Sequence, residues 1–307
     1  MNGRHDVAIV GGGPAGLSAA CFLSRYLHDV VLIDSGDPRN WETRGINCYL
    51  GLPGVRPAEL RERGRAEARK HRVCLIDDCV DTASIEAPEE LTLTLLGGGK
   101  LHARRLLLAI GLKDVWPDVP GLERVYGENA HVCPDCDGYE SLGKKTVVIG
   151  RGRKAVGMAL NLSTWTRDII ICTNGLPPEL DEQEYCDKLD GLNIPVLTQR
   201  ILCVREKRGR LRSLELENGM ELDAEKIFLA IGQYPADDLG AQLECRRDSG
   251  GHIVVDRHYH TSVPNVYAAG DIVPGSQLAI AAAADGAIAA LAIHKSLVTS
   301  ERQLAPK

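Results

Sequence analysis

Residues 6–27 read DVAIVGGGPAGLSAACFLSRYL. A short apolar run stops at three glycines and a proline, and an apolar stretch of helical period follows. DVVLID at 29–34 comes next. This pattern predicts strand, tight turn, helix, strand: one βαβ unit. Gly11, Gly13 and Gly16 satisfy G-x-G-x-x-G in the context the motif requires. The first glycine allows the tight turn, the second lets backbone approach a pyrophosphate, and the third permits close helix–strand packing. Pro14 and Ala15 stand between them at the helix start, where free N–H groups and the helix dipole favour negative charge. Asp34 ends the second strand about 20 residues on, where an acid accepts from ribose hydroxyls. Strand, helix and acid together favour a bound dinucleotide over a merely tight turn.

The unit recurs. KKTVVIG at 144–150, RGRKA at 151–155, VGMALNLSTW at 156–165 and DIIICTNG at 168–175 repeat strand, glycine turn, helix and strand. Gly150 and Gly152 are kept, and Ala155 takes the third site. Arg151, Arg153 and Lys154 bring cations that could pair with phosphates. The plainer alternative is a solvated basic turn that binds nothing. Thr173-Asn174-Gly175 ends the following strand, with neither an acid for a free ribose nor an arginine for a 2′-phosphate. Two such units predict an α/β chain with two Rossmann-like dinucleotide-binding domains. Between them, 34–60 is rich in Gly, Pro and Asn and reads as loop; 57–71 reads as a charged surface helix; 73–85, 90–99 and 100–110 read as strands. The pattern breaks at 116–121, a linker. A strand region at 200–219 leads into EKIFLAIGQYPAD, and an Ala-rich helix follows VPNVYAAGDIV.

Composition narrows the function classes. The chain has 307 residues, 44% hydrophobic and 25% charged, ordinary for a soluble globular protein. A net charge of −6 argues against a broad nucleic-acid footprint, and an aromatic content of 4% against base-stacking platforms. The N-terminus lacks the apolar region of a signal peptide. The longest apolar run, Leu278 to Ile293, is interrupted by Asp285 and reads as a buried helix, not a membrane span. The chain reads as cytoplasmic.

Ten cysteines in a reducing compartment are expected to be mostly buried small hydrophobes rather than structural disulfides. CPDCDGYE at 133–140 is different. Cys133 and Cys136 could clamp zinc, but a structural site needs four ligands, and Cys74 and Cys79 lie in a distant strand region. An inert pair is a further alternative. A redox pair explains more: Pro134 stiffens the turn, and Asp137 can hold or release a proton as the sulfurs cycle.

Taken together, GGGPAG, CPDCDG, GRGRKA, FLAIGQYP at 228–235 and VYAAGDI at 266–272 resemble the low-molecular-weight thioredoxin reductases and related flavin-dependent disulfide oxidoreductases, over nearly the whole chain. The resemblance implies a second domain inserted into the first: an FAD domain from 1–115 and 246–307, and an NAD(P)-type domain from 116–245 carrying the CxxC. It implies a homodimer. Gly11, Gly13, Pro14, Ala15 and Gly16 would meet the FAD pyrophosphate and Asp34 its ribose. Asn47 would sit near the flavin ring, with Gly111, Gly270, Asp271 and Gln277 completing the site. Gly150, Gly152 and Arg153 would hold NADPH or a second FAD. Cys136 would face the flavin, Cys133 would exchange with a thioredoxin-like protein or a small-molecule disulfide or dithiol, and Asp137 would be the acid/base. No metal is implied. The chain departs from the family at Thr173-Asn174-Gly175, where a His-Arg-Arg type run holds the 2′-phosphate, at Gly157, where an acid is usual, and at Gln277-Leu278, where Arg-Gln is usual. These departures look like relatives that have lost nicotinamide dependence and either oxidise dithiols or take electrons from another carrier. Asp137 itself matches the reductases; dithiol oxidases often carry His there. A non-catalytic flavin redox sensor is the reading from outside enzymology.

Overall fold

The computed structural model describes residues 4–40 and 43–302. The first unit opens with β1 (Arg4–Val10), α1 (Pro14–Arg25) and β2 (Val30–Ile33). Pro14 at the first helical position fixes φ where no N–H is needed. α2 (Pro57–Lys70), β3 (Cys74–Ile76), β4 (Val80–Ala87), β5 (Glu90–Leu95) and β6 (Lys100–Leu108) follow, and β7 (Leu112–Asp114) leads out. α2, expected on the surface, buries Pro57, Arg65 and Ala68.

The second unit comprises β8 (Ala130–His131), the short α3 (Pro134–Asp137), β9 (Thr146–Gly150), α4 (Gly152–Leu162), β10 (Ile169–Cys172), α5 (Gln183–Gly191), β11 (Val196–Leu197), β12 (Ile201–Lys207), β13 (Arg210–Leu216), β14 (Glu221–Asp223) and β15 (Lys226–Ala230). The chain returns through β16 (Gln233–Pro235), α6 (Leu239–Gln242) and β17 (Val266–Ala268) to the long α7 (Ala279–Leu297).

The first sheet runs β3-β2-β1-β6-β5-β4, with β17 also on β6. β6 forks: Lys100 to Ala103 pair antiparallel with β5, and Leu106 to Leu108 pair parallel with β17. Strand alternation sorts its residues into two cores. Val7, Ile9 and Leu107 face α1 and α7; Ala8, Val10, Leu106 and Leu108 face the other layer. Strands covered on both faces read as unbroken apolar runs, as residues 7–10 of β1 and the whole of β2 do. The second sheet is parallel, β11-β10-β9-β15-β8, with α4 on one face and the antiparallel β12-β13-β14 on the other. Both units are Rossmann-like and the second is inserted into the first.

β7 and β16 pair antiparallel, Asp114 opposite Gln233, and form the two-stranded link between the units. Leu239, Leu243 and Cys245 already pack into the first unit's core, ahead of the return expected at 246. The reason is local: α6 lies on β4, and Gln242 accepts from the Ala83 N–H at 2.9 Å and donates to the Asp81 carbonyl at 3.0 Å.

Candidate functional site

Gly11 has φ +107°, and a Cβ there would meet the Ala109 carbonyl oxygen at 2.2 Å. A Cβ on Gly16 would meet the Gly11 carbonyl oxygen at 1.9 Å. Both glycines are therefore dictated by the chain's own packing. Gly13 is not: nothing lies within 4 Å of its virtual Cβ. Its backbone faces a cleft of about 780 Å³, within the range of small-molecule sites. Gly11, Gly13, Pro14, Ala15, Asp34, Asn47, Gly111, Gly270, Asp271 and Gln277 all line this one cleft. Gly16 lies beneath it, against Gly11. A cleft with open backbone at a helix N-terminus suits a dinucleotide's pyrophosphate.

Cys133, Cys136 and Asp137 line the same cleft. Cys133 and Cys136 are joined in a disulfide, and Cys74 and Cys79 are free thiols. Cys133 caps α3, its sulfur accepting from the Cys136 N–H at 3.1 Å. Asn47 donates to the Cys136 carbonyl at 3.2 Å and to Asp137 Oδ1 at 3.3 Å. Asp137 Oδ2 lies 3.4 Å from His131 Nδ1. The glycine that completes CPDCDG has a packing cause: a Cβ on Gly138 would sit 2.4 Å from the Trp165 ring.

Three arginines of this site escape the sequence reading. Arg39 donates to both oxygens of Asp114, at 2.9 and 2.8 Å, to Asp271 at 3.2 Å and to Gln277 at 2.7 Å. Gln233 of β16 also bonds Asp114 and Gln277, at 3.2 and 3.1 Å. The network ties cleft wall to inter-unit link. Burial works against the Arg39 charge, but Asp114 and Asp271 outweigh it and hold the guanidinium more firmly protonated. Burial pushes the Asp271 carboxyl up, with Arg39 opposing. Asp34 is bound by Arg61 and by Arg65, the latter at 3.1 Å, and accepts from the Gly36 N–H at 3.2 Å. Arg61 Nε is buried without a hydrogen-bond partner. Arg61 and Arg65 share one face of α2 at i, i+4 spacing, a signal the sequence did carry.

The second glycine loop is arranged otherwise. The Gly152 N–H, at the start of α4, donates to the Pro178 carbonyl at 2.9 Å. Arg151 pairs with Glu179 at 2.9 Å, and a Cβ on Gly152 would meet the Glu179 carboxylate at 3.1 Å. The 178–179 turn thus sits on the helix N-terminus where a phosphate would go. Asn174 accepts from the Ile201 N–H at 2.8 Å, so its side chain is spent on structure. Arg153 and Lys154 line a second cleft of about 450 Å³ with Gly157 and Asn161. Val132 and Pro134 line both clefts, so the disulfide turn divides them.

The family profile described as pyridine nucleotide-disulphide oxidoreductase matches residues 5–286. The crystal structure of HlmI superposes with a TM-score of 0.91 at 33% identity, covering 97% of this chain and 93% of that one. Thioredoxin reductase of Mycolicibacterium smegmatis is 28% identical over 97% of this chain and 98% of its own length. An alkyl hydroperoxide reductase component of Pseudomonas putida is 30% identical over 95% of this chain, which spans 58% of that protein. With two Rossmann-like units, a dinucleotide cleft and a disulfide on its wall, the chain belongs to the pyridine nucleotide-disulphide oxidoreductase family, among its low-molecular-weight, thioredoxin reductase-like flavoproteins.

Proposed function

We propose that the protein exchanges two electrons between FAD and the Cys133–Cys136 disulfide, and passes them to or from a thiol–disulfide substrate without drawing on NADPH. The observation that carries the reading is the single cleft that runs from the Gly13 backbone to the disulfide. FAD fits this cleft. The free N–H groups at the start of α1 would hold the pyrophosphate, and the unpartnered Arg61 Nε beside Asp34 offers a donor near the ribose position. When bound, FAD supplies the two-electron chemistry. The chain's residues do the rest. Asn47 fixes the disulfide turn against the first unit, Asp137 holds or moves a proton beside Cys136, and Cys133 caps α3 where the Cys136 N–H steadies negative charge on its sulfur.

Independence from NADPH is supported by the second loop, whose helix N-terminus already meets Pro178 and Glu179. A carboxylate at that position repels a pyrophosphate. The substrate in this reading is a thioredoxin-like protein or a small dithiol or disulfide. A homodimer belongs to it as well: Phe22, Leu27, Ile288 and Leu291 leave apolar surface exposed on α1, the turn after it, and α7. So does a reducing, cytoplasmic setting, since the eight remaining cysteines are free thiols.

The test is anaerobic mixing of the yellow holoprotein with NADPH, NADH or dithiothreitol while flavin absorbance is followed. Bleaching by the dithiol alone is the expected result. Fast bleaching by NADPH would overturn the donor assignment, and no response to dithiol would overturn flavin–disulfide exchange.

A further inference from the structure

Lys226 opens β15 in the sequence KIFLA and is 5% exposed. A lysine at the head of an otherwise apolar buried strand is costly unless its charge is met or surrendered. Its Nζ donates to the Glu128 carbonyl at 2.6 Å and lies 3.1 Å from His131 Nε2. Parallel pairing of β8 with β15 sets His131 opposite Phe228, and strand alternation puts Lys226 on the same face. His131 is itself 5% exposed. His131 Nε2 also lies 3.2 Å from the Glu128 carbonyl; in the tautomer that serves the relay, Nε2 accepts from the ammonium, which can only donate, and Nδ1 carries the hydrogen. That Nδ1 lies 3.4 Å from Asp137 Oδ2.

We infer that His131 and Lys226 form a proton relay that loads and unloads Asp137 as the Cys133–Cys136 pair changes redox state. This rests on the proposed function for the electron transfer itself. When the pair takes up two electrons, which reduced flavin would supply, the S–S bond breaks; one sulfur takes a proton from Asp137 and the other is left as the thiolate. The His131 Nδ1–H then passes to Asp137, and Nε2 receives a proton from the Lys226 ammonium. Lys226 ends neutral and recovers its proton from solvent. When the pair is oxidised each proton runs the other way. No electron moves along the relay. A neutral lysine is accessible because burial, followed by Lys144, pulls Lys226 down from the ordinary ammonium range, against Asp137, Glu140 and Glu128. Glu140, whose Oε2 is buried without a hydrogen-bond partner, is the further carboxylate acting on Lys226. The charged groups around the relay are therefore Asp137, Glu140, Glu128 and Lys144. His131 and Lys226 act through Asp137 and are positioning residues.

Two substitutions test this, with Asp137→Asn as the comparison. His131→Gln keeps a donor for Asp137 but cannot pass a proton, and Lys226→Arg keeps the charge but cannot surrender it. Flavin content and melting temperature establish that each is folded. Two readouts follow across pH 5–9: dithiothreitol-driven bleaching of the holoprotein, and iodoacetamide alkylation of reduced Cys133 and Cys136. The relay predicts that H131Q and K226R both slow bleaching by about tenfold or more, within the span of general acid–base effects, and displace the pH midpoint of alkylation. Rescue by K226R to wild-type rate and profile would leave only a structural charge and overturn the relay. So would a wild-type profile in H131Q beside a slow Asp137→Asn. Should the wild type fail to bleach, the electron-transfer reading falls; the alkylation midpoint still decides the relay, supporting it if displaced in H131Q and K226R and overturning it if unmoved.

Discussion

The Asn47 side chain donates to the Cys136 carbonyl at 3.2 Å, joining a loop of the first unit to the disulfide turn of the second. The same amide reaches Asp137 at 3.3 Å. Hydrogen bonds of this kind contribute about 0.5–1.5 kcal/mol each, and up to about 3 when one partner is charged. Asn47→Ala therefore weakens the docking of the turn by roughly 1–3 kcal/mol, which lowers the docked population when the undocked state competes. Stopped-flow bleaching by dithiothreitol should slow by about tenfold with little change in melting temperature. An unchanged rate would mean that the contact does not position the disulfide.

The two sulfurs stand differently in α3, and their roles should separate. Cys133 caps the turn and Cys136 lies within it. The external sulfur forms the mixed disulfide with substrate, and the other resolves it. Reduced Cys136→Ser should accumulate a stable adduct on Cys133 when given a disulfide, seen by intact mass, while Cys133→Ser should accumulate far less. The reverse pattern would exchange the assignments.

What the sequence made legible was local. Gly11, Gly13 and Gly16 could be read because strand, turn and helix are contiguous, and the CxxC because two residues of spacing suffice to define it. Arg39 could not be read: its partner Asp114 is 75 positions away, at the end of β7. Lys226 carried a faint signal, a cation opening an apolar strand, but its meaning depends on the pairing of β8 with β15. Glu179 carried none. It lies in a Pro-rich turn like many others, and its importance comes from folding back on Gly152. α2 shows the opposite error, where a highly charged helix conceals two arginines held on Asp34, Arg65 of them buried.

Asp237, just after β16, gives a stability test independent of redox chemistry. Burial raises its pKa from 3.8 to about 6. The folded state thus binds the proton more tightly than the unfolded chain. The contribution of this carboxyl to stability is fully present below about pH 4, is lost as pH rises towards 6, and levels off above that. Asp237→Asn keeps the acceptor for the Leu239 N–H, now at 3.0 Å, without the buried charge. Urea denaturation should find the variant more stable at pH 7.5 by roughly 1–2 kcal/mol, after allowance for partial solvent screening. The gain should vanish near pH 4. A difference independent of pH would show that the carboxyl titrates normally.

Glu179 decides whether the second glycine loop is closed by design of the chain or merely idle. Its carboxylate pairs with Arg151 and stands beside Gly152, so it neutralises the cation and occupies the approach a phosphate needs. Glu179→Ala frees Arg151 and opens that approach, while Thr173, Asn174 and Gly175 still offer no grip on a 2′-phosphate. The variant should therefore gain affinity for NADH and NADPH alike, by about tenfold for one recovered charge contact, and flavin bleaching by both should become measurable where the wild type shows little. Glu179→Arg should go further at low ionic strength and lose the advantage in salt. A gain for NADPH alone would point to a phosphate clamp elsewhere on the loop. No gain in either variant, with folding intact, would show that the Pro178 carbonyl on the Gly152 N–H suffices to keep the nucleotide out.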